Sequence, residues 1–193
     1  MAEMLEIVNN TGATFTTAAN YTVTISDTSS ASNVNLVVSD TTGTVTAIVT
    51  ADTAANLNAA LTNATGTDAL TLTINSTSTS SANLISLDGK TSVAVGATAI
   101  TELTGNATNI KTALASSGIT TVTNGSLAVT VSGSTSVADI NTINADSATG
   151  IVTATVTSAA ASVLKGLQTD SNDAITMTVN AEASGATAAA DLV

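Results

Sequence analysis

Leu70-Thr71-Leu72-Thr73-Ile74 places an aliphatic residue at every second position with threonine in the gaps, the pattern of a strand with one buried and one solvated face. The alternation recurs in Tyr21-Thr22-Val23-Thr24-Ile25, Leu127-Ala128-Val129-Thr130-Val131 and Ile175-Thr176-Met177-Thr178-Val179. Looser versions are Val45-Thr46-Ala47-Ile48-Val49 and Val152-Thr153-Ala154-Thr155-Val156. Behind these strands the apolar residues change to helical spacing: Ala54, Leu57 and Leu61; Ala107, Ile110 and Leu114; Ala160, Val163 and Leu167. Between the longer runs come the pairs Val34 and Val37, Leu84 and Leu87, and Ile140 and Ile143. Each pair follows a Ser- or Thr-rich stretch able to cap a helix, and is read as one to two turns alternating with the longer helices.

The strand starts at 21, 45, 70, 127, 152 and 175 are separated by 24, 25, 57, 25 and 23 residues. The long interval conceals one more unit, whose strand is placed between Ala99 and Leu103. The chain therefore reads as a tandem array over residues 21–193, with units starting near 21, 45, 70, 99, 127, 152 and 175. Residues 1–20 fit the pattern poorly and are read as an N-terminal end, cap or incomplete repeat.

One unit supplies a handful of aliphatic groups, worth about 1.5–3 kcal/mol each on burial, against an ordering cost of about 1–2 kcal/mol for every backbone residue. It cannot fold alone, but stacked units cover one another. The expected fold is an α/β right-handed solenoid of about seven strand-plus-short-helix coils of roughly 25 residues, with one parallel sheet. An all-β solenoid, with the Ala-rich stretches as turns, is the alternative.

Composition supports a thin, repetitive core. The chain has one Phe, one Tyr, no Trp, no Cys and no Pro, so the aromatic anchors that dominate most globular cores are missing. Ser, Thr, Ala and Gly richness can mark a solvated coil, but a hydrophobic fraction of 44% and regular β-branched positions argue for order. Three lysines, Lys90, Lys111 and Lys165, stand against 14 acidic residues, for a net charge of −11. Such a surface lacks the clustered cations needed to bind nucleic acid or an anionic membrane. The absence of Cys and His removes thiol chemistry, Cys-ligated zinc and the commonest general base, so no enzyme activity and no cofactor are expected. No apolar run approaches a membrane span, and the opening Met1-Ala2-Glu3-Met4-Leu5-Glu6 does not read as a signal peptide.

The run Ser136-Val137-Ala138-Asp139-Ile140-Asn141-Thr142-Ile143-Asn144-Ala145-Asp146, followed by Gly150-Ile151-Val152-Thr153-Ala154-Thr155-Val156, resembles the tandem repeats of very large bacterial exoproteins of the cyanobacterial type. So does Leu87-Asp88-Gly89-Lys90-Thr91-Ser92-Val93-Ala94-Val95, and the likeness extends over nearly all of the chain after residue 20. It implies a cell-surface or extracellular location and a structural role as stalk, coat or adhesin spacer, rather than an activity.

Three features invite a functional reading. Stacked in register, Thr22, Thr24, Thr71, Thr73, Thr130, Thr153, Thr155, Thr176 and Thr178 would form ladders about 4.8 Å apart, able to contact ice or an ordered polysaccharide. Thr is equally a good solvated strand former, and Ala128 and Ile48 interrupt the array. Asp170, Asn172 and Asp173 are the best calcium candidates, although no EF-hand or Gly-rich calcium repeat accompanies them and turn capping is the simpler role. Glu102 near Asp88 and Lys90 lacks the fixed partner spacing of an acid–base pair. The sequons at Asn9, Asn20, Asn63, Asn75, Asn106 and Asn124 follow from composition and support no glycosylation. A stack of this kind also presents apolar ends, so end-to-end self-association is expected.

Overall fold

The computed structural model describes residues 19–121, 126–146 and 149–180. Among them are six helices: α1 (Ala31–Asp40), α2 (Ala54–Ala60), α3 (Ser81–Asp88), α4 (Ala107–Ala115), α5 (Val137–Asn144) and α6 (Ala161–Leu164). Ten strands accompany them: β1 (Val23–Ser29), β2 (Val45–Val49), β3 (Ala69–Thr71), β4 (Ser78–Ser80), β5 (Val95–Ala97), β6 (Glu102–Gly105), β7 (Ile119–Thr121), β8 (Leu127–Thr135), β9 (Thr149–Val156) and β10 (Ala174–Thr176). The protein is a mixed α/β chain, and the all-β alternative is set aside by these helices.

A short motif starts five of the six described helices. Ser30-Ala31-Ser32-Asn33-Val34 is matched by Thr53-Ala54-Ala55-Asn56-Leu57, Ser80-Ser81-Ala82-Asn83-Leu84, Asn106-Ala107-Thr108-Asn109-Ile110 and Ser136-Val137-Ala138-Asp139-Ile140. In all five the first side chain accepts the backbone N–H of the fourth residue, at 2.9–3.3 Å, satisfying a donor that the first turn leaves open. The fifth residue points inward: Val34, Leu57, Leu84, Ile110 and Ile140 are buried. At α6 the cap position is Ala160, which makes no side-chain cap bond, and the helix lasts only 4 residues. The expected inward set there, Ala160, Val163 and Leu167, is shifted by one. Ala161 and Leu164 are buried and Val163 is 53% exposed. The alternation of short and long helices is not found either: α1, expected to be short, has 10 residues because Val34, Val37 and Val38 all reach the core.

Every described strand pairing is parallel, and each joins strands of neighbouring units. The expected single sheet is instead three, with strand orders β1-β2-β3, β4-β6-β8-β9-β10 and β5-β7. Bends cause the split. The register shifts between Ile25 and Ser29 in β1 and between Thr130 and Ser134 in β8, and Gly133 turns at φ +74. The strand expected between Ala99 and Leu103 is two pieces, β5 and β6, on either side of a turn at 98–101. Because each strand segment bends away from the next, a segment pairs only with its counterpart one unit away.

Inward rows run across these pairings. Ile25, Ala47 and Leu70 form one, and Leu103, Val129 and Val152 another. Helices pack in chain order, α1 on α2, α2 on α3, α3 on α4 and α4 on α5. One apolar cluster joins them, running from Val23 to Leu164. Of the expected N-terminal cap (1–20), residues 1–18 lie outside the described part, as does the last unit beyond Asn180. No helix among the described residues is long and apolar enough to cross a membrane.

Candidate functional site

The nine threonines do not form one array. In the β4-to-β10 sheet a single outward row runs Ser80, Thr104, Thr130, Thr153 and then Ala174. Thr155 stands beside Thr176 in the next outward row. Thr24 lies in the first sheet beside Thr46, whose other neighbour is Ala69. Thr71 faces Ile48, and Thr73 bridges to Gly96. Thr22 and Thr178 are exposed but lie just outside β1 and β10. The row that does form includes Ser80 and Thr104, which alternation in the sequence did not mark. These two stand at different distances from their helix caps than Thr130 and Thr153 do, because the bends differ from unit to unit. Three of its hydroxyls are also engaged internally: Thr130 donates to the Glu102 carboxylate at 3.3 Å, Thr104 donates to the Thr79 carbonyl at 3.4 Å, and Ser80 accepts the Asn83 N–H at 3.2 Å.

The Asp170, Asn172 and Asp173 cluster lines a cleft of about 360 Å³ with Thr149, Gly150 and Ile151. Its central carboxylate faces backbone amides. Asp173 accepts the Val152 N–H at 2.9 Å through Oδ1 and the Asp170 N–H at 2.8 Å through Oδ2. Asp68 repeats this geometry, accepting the Val45 and Thr65 N–H groups, both at 3.0 Å. Asp68 is 3% exposed, and its bond to the Val45 amide is buried. Val45 and Val152 hold equivalent places in the echoing segments Thr42–Val49 and Thr149–Val156. The acidic residue that suggested calcium thus ties the turn ahead of one strand to the strand before it. Among the described residues no group of three or more His, Cys, Asp or Glu is placed to hold a metal ion.

Other junctions use threonine for the same task. Thr91 accepts the Leu70 N–H at 3.0 Å and donates to the Leu70 carbonyl at 2.7 Å. Thr41 donates to the Tyr21 carbonyl while accepting the Gly43 N–H at 3.0 Å. On the helix side Asn35 reaches Thr62 at 3.1 Å, Asn141 reaches the Gly166 carbonyl at 2.8 Å, and Lys111 pairs with Asp139. Hydrogen bonds from Lys111 and then Ser136 hold the Asp139 carboxyl below the usual range. Glu102, Asp88 and Lys90 do not act together: Glu102 faces Thr130, Asp88 accepts from Ser116 at 2.8 Å, and Lys90 donates to the Leu61 carbonyl at 2.6 Å.

Tyr21 donates its hydroxyl to Asp40 at the end of α1. That hydrogen bond, with burial and the carboxylate charge adding to it, raises the phenol from 10.0 to about 12. Since it is the chain's one tyrosine and there is no Trp, ultraviolet titration of the phenolate reads it alone. The midpoint is expected near pH 12 in the native protein and to fall toward the ordinary phenol value after Asp40→Asn. A native midpoint near 10 would show that the first junction is not closed. The linkage has a definite sign: the folded pKa is the higher one, so this contact stabilises below pH 10 and its contribution is lost as pH rises through 12.

No family model, curated protein or solved structure matches this chain.

Proposed function

We propose that the chain is a structural repeat segment of a bacterial surface or extracellular protein: a stalk, coat or adhesin spacer built as a right-handed solenoid of about seven coils. The observation that supports this most is the use of polar side chains. Three of the buried ones, Asp68, Thr41 and Thr91, each lie ahead of one strand and bond backbone at the start of the strand before it, so chemistry that an enzyme would direct at a substrate is spent on joining successive strands. Parallel pairing between adjacent units and helices packed in chain order fit an extended, nearest-neighbour architecture. On this reading the protein is not an enzyme and needs no cofactor. Its charge of −11 keeps it off nucleic acid and membranes.

Truncation tests the reading. A chain ending at Asp146 lacks the last two units, and the remainder is expected to keep its circular dichroism per residue and a cooperative melt. Collapse of the shortened chain to a coil would end the proposal, because a closed globule loses its core when cut in this way.

The hydroxyl row Ser80, Thr104, Thr130 and Thr153 favours a second reading, a binding module for ice or an ordered polysaccharide. Thr104→Lys with Thr153→Lys would then abolish retention on crystalline glycan or ice without shifting the melt. If the parent protein is not retained, that reading fails.

A further inference from the structure

Two stretches of the array are joined to their neighbours in the same way, an agreement that rests on the structural-repeat reading and deepens it. Val23, Ile25 and Ser29 of β1 are buried, and so are Val129, Val131 and Thr135 of β8, each 106 positions further on. The following strands meet them in one register. Val23 pairs with Val45 and Ser29 with Val49, as Val129 pairs with Val152 and Thr135 with Val156. The next pairing repeats as well: Ala47 with Leu70 and Ile48 with Thr71 are matched by Ala154 with Ile175 and Thr155 with Thr176. Even the isolated bridges agree, Asp52 to Ile74 and Ala159 to Val179.

Polar contacts keep the same period. Asp68 and Asp173 each hold two amides, those of Val45 and Thr65 and those of Val152 and Asp170. On the helix side Asn35 accepts the Asn63 N–H and Asn141 the Gln168 N–H, both at 2.8 Å. The junctions in between are closed differently. The Leu70 N–H is met by the Thr91 hydroxyl and the Val95 N–H by the Gly118 carbonyl. Lys111, at the place in α4 that Asn35 takes in α1 and Asn141 in α5, reaches the Asp139 side chain instead. A hydroxyl presents one oxygen and a carboxylate two, so a junction of the Thr91 kind cannot span the pair of amides that Asp68 and Asp173 hold.

We propose that units recognise their neighbours in sets of four, so that the surface β9 turns toward the following unit is the one β2 turns toward β3. The partner that fits this surface is a unit with an aspartate two residues ahead of the first inward residue of its strand, as Asp68 stands to Leu70 and Asp173 to Ile175. A spacer built on this rule lengthens in whole sets, each adding four layers, about 19 Å at about 4.8 Å per strand. Any other number of added units sets unlike surfaces against each other.

Doubling part of the full chain tests the rule. In one variant residues 45–151 occur twice in succession, so that Ile151 is followed by Val45 and β8 meets β2 as β1 does. In a second variant residues 70–151 occur twice, so that Ile151 is followed by Leu70 and β8 meets β3. The first is expected to melt cooperatively at or above the midpoint of the parent, because an array gains stability with each matched neighbour. The second is expected to melt lower than the first by about 5 °C or more. Indistinguishable melts overturn the proposal, since any unit would then fit any other, and so does a first variant that melts below the parent or stays a coil. The truncation at Asp146 keeps the two ideas apart: if the shortened chain folds while the doubled chains melt alike, the spacer reading stands and only the rule of four falls.

Discussion

Asp68→Ala is expected to lower the unfolding free energy by about 2–3 kcal/mol, since removing the acceptor strands the buried Val45 N–H and a charge-assisted bond exceeds a neutral one. The carboxylate is 3% exposed and bonds two amides, those of Val45 and Thr65. Water cannot replace it at the buried Val45 amide. Asp173 makes the same pair of bonds at the more open end of the chain, so Asp173→Ala is expected to cost about 1 kcal/mol. Urea melts of the two variants measure the difference. Equal and negligible losses would mean that the junction carboxylates are ordinary turn residues, and the main support for the structural role would be gone.

Gly43→Ala is expected to cost about 2–3 kcal/mol, as for an atom forced into a filled site. A Cβ at this position would collide with the Tyr21 carbonyl oxygen and lie 2.7 Å from that of Asn20. Both obstacles are backbone, and Thr41 bonds the same Tyr21 carbonyl from the adjacent turn. Neither can swing aside as a side chain would. At Gly66 the nearest atom to an added Cβ is 3.5 Å away, and Gly66→Ala is expected to change stability by less than about 0.5 kcal/mol. Thermal melts of both variants check this, and indistinguishable midpoints would show that the turns of neighbouring units do not approach closely at Gly43.

The parts of the fold legible in the sequence were those set by periodicity. Alternation located β1, β2, β3, β8, β9 and β10 to within a few residues, because a half-buried strand imposes period two on its side chains. Helices were legible where Ala, Leu and Ile fell three or four apart. The segment from 88 to 106 was not, since β5 and β6 are too short for alternation to develop and a turn separates them. The cap motif would have resolved it: Asn106-Ala107-Thr108-Asn109-Ile110 aligns with four other helix starts and fixes the unit at its helix rather than its strand. At α6, which lacks the capping side chain, helical spacing alone misplaced the register, and Leu164 rather than Val163 takes the inward place.

The candidate sites were less legible for a different reason. Outward threonines are identifiable one strand at a time, but their neighbours depend on where each unit bends, which alternation does not encode. Ser80 and Thr104 therefore join Thr130 and Thr153 in a row that excludes Thr24 and Thr71. Asp173 stood out in the sequence for its charge. Its role became clear only from the Val152 amide, 21 positions earlier, which nothing local could indicate.

Distances across the helix wall test most directly whether successive units stack in a line around one continuous interior. Cysteine spin labels at exposed positions on successive helices, Ser32 paired in turn with Ala82, Thr108 and Ala138, can be placed without removing any native thiol. Pulsed electron resonance should give separations that lengthen with every helix passed, by about 8–10 Å per helix–helix contact. If the Ser32 to Ala138 distance is no longer than Ser32 to Ala82, the chain folds back on itself, and the solenoid, its open ends and its spacer role are all contradicted.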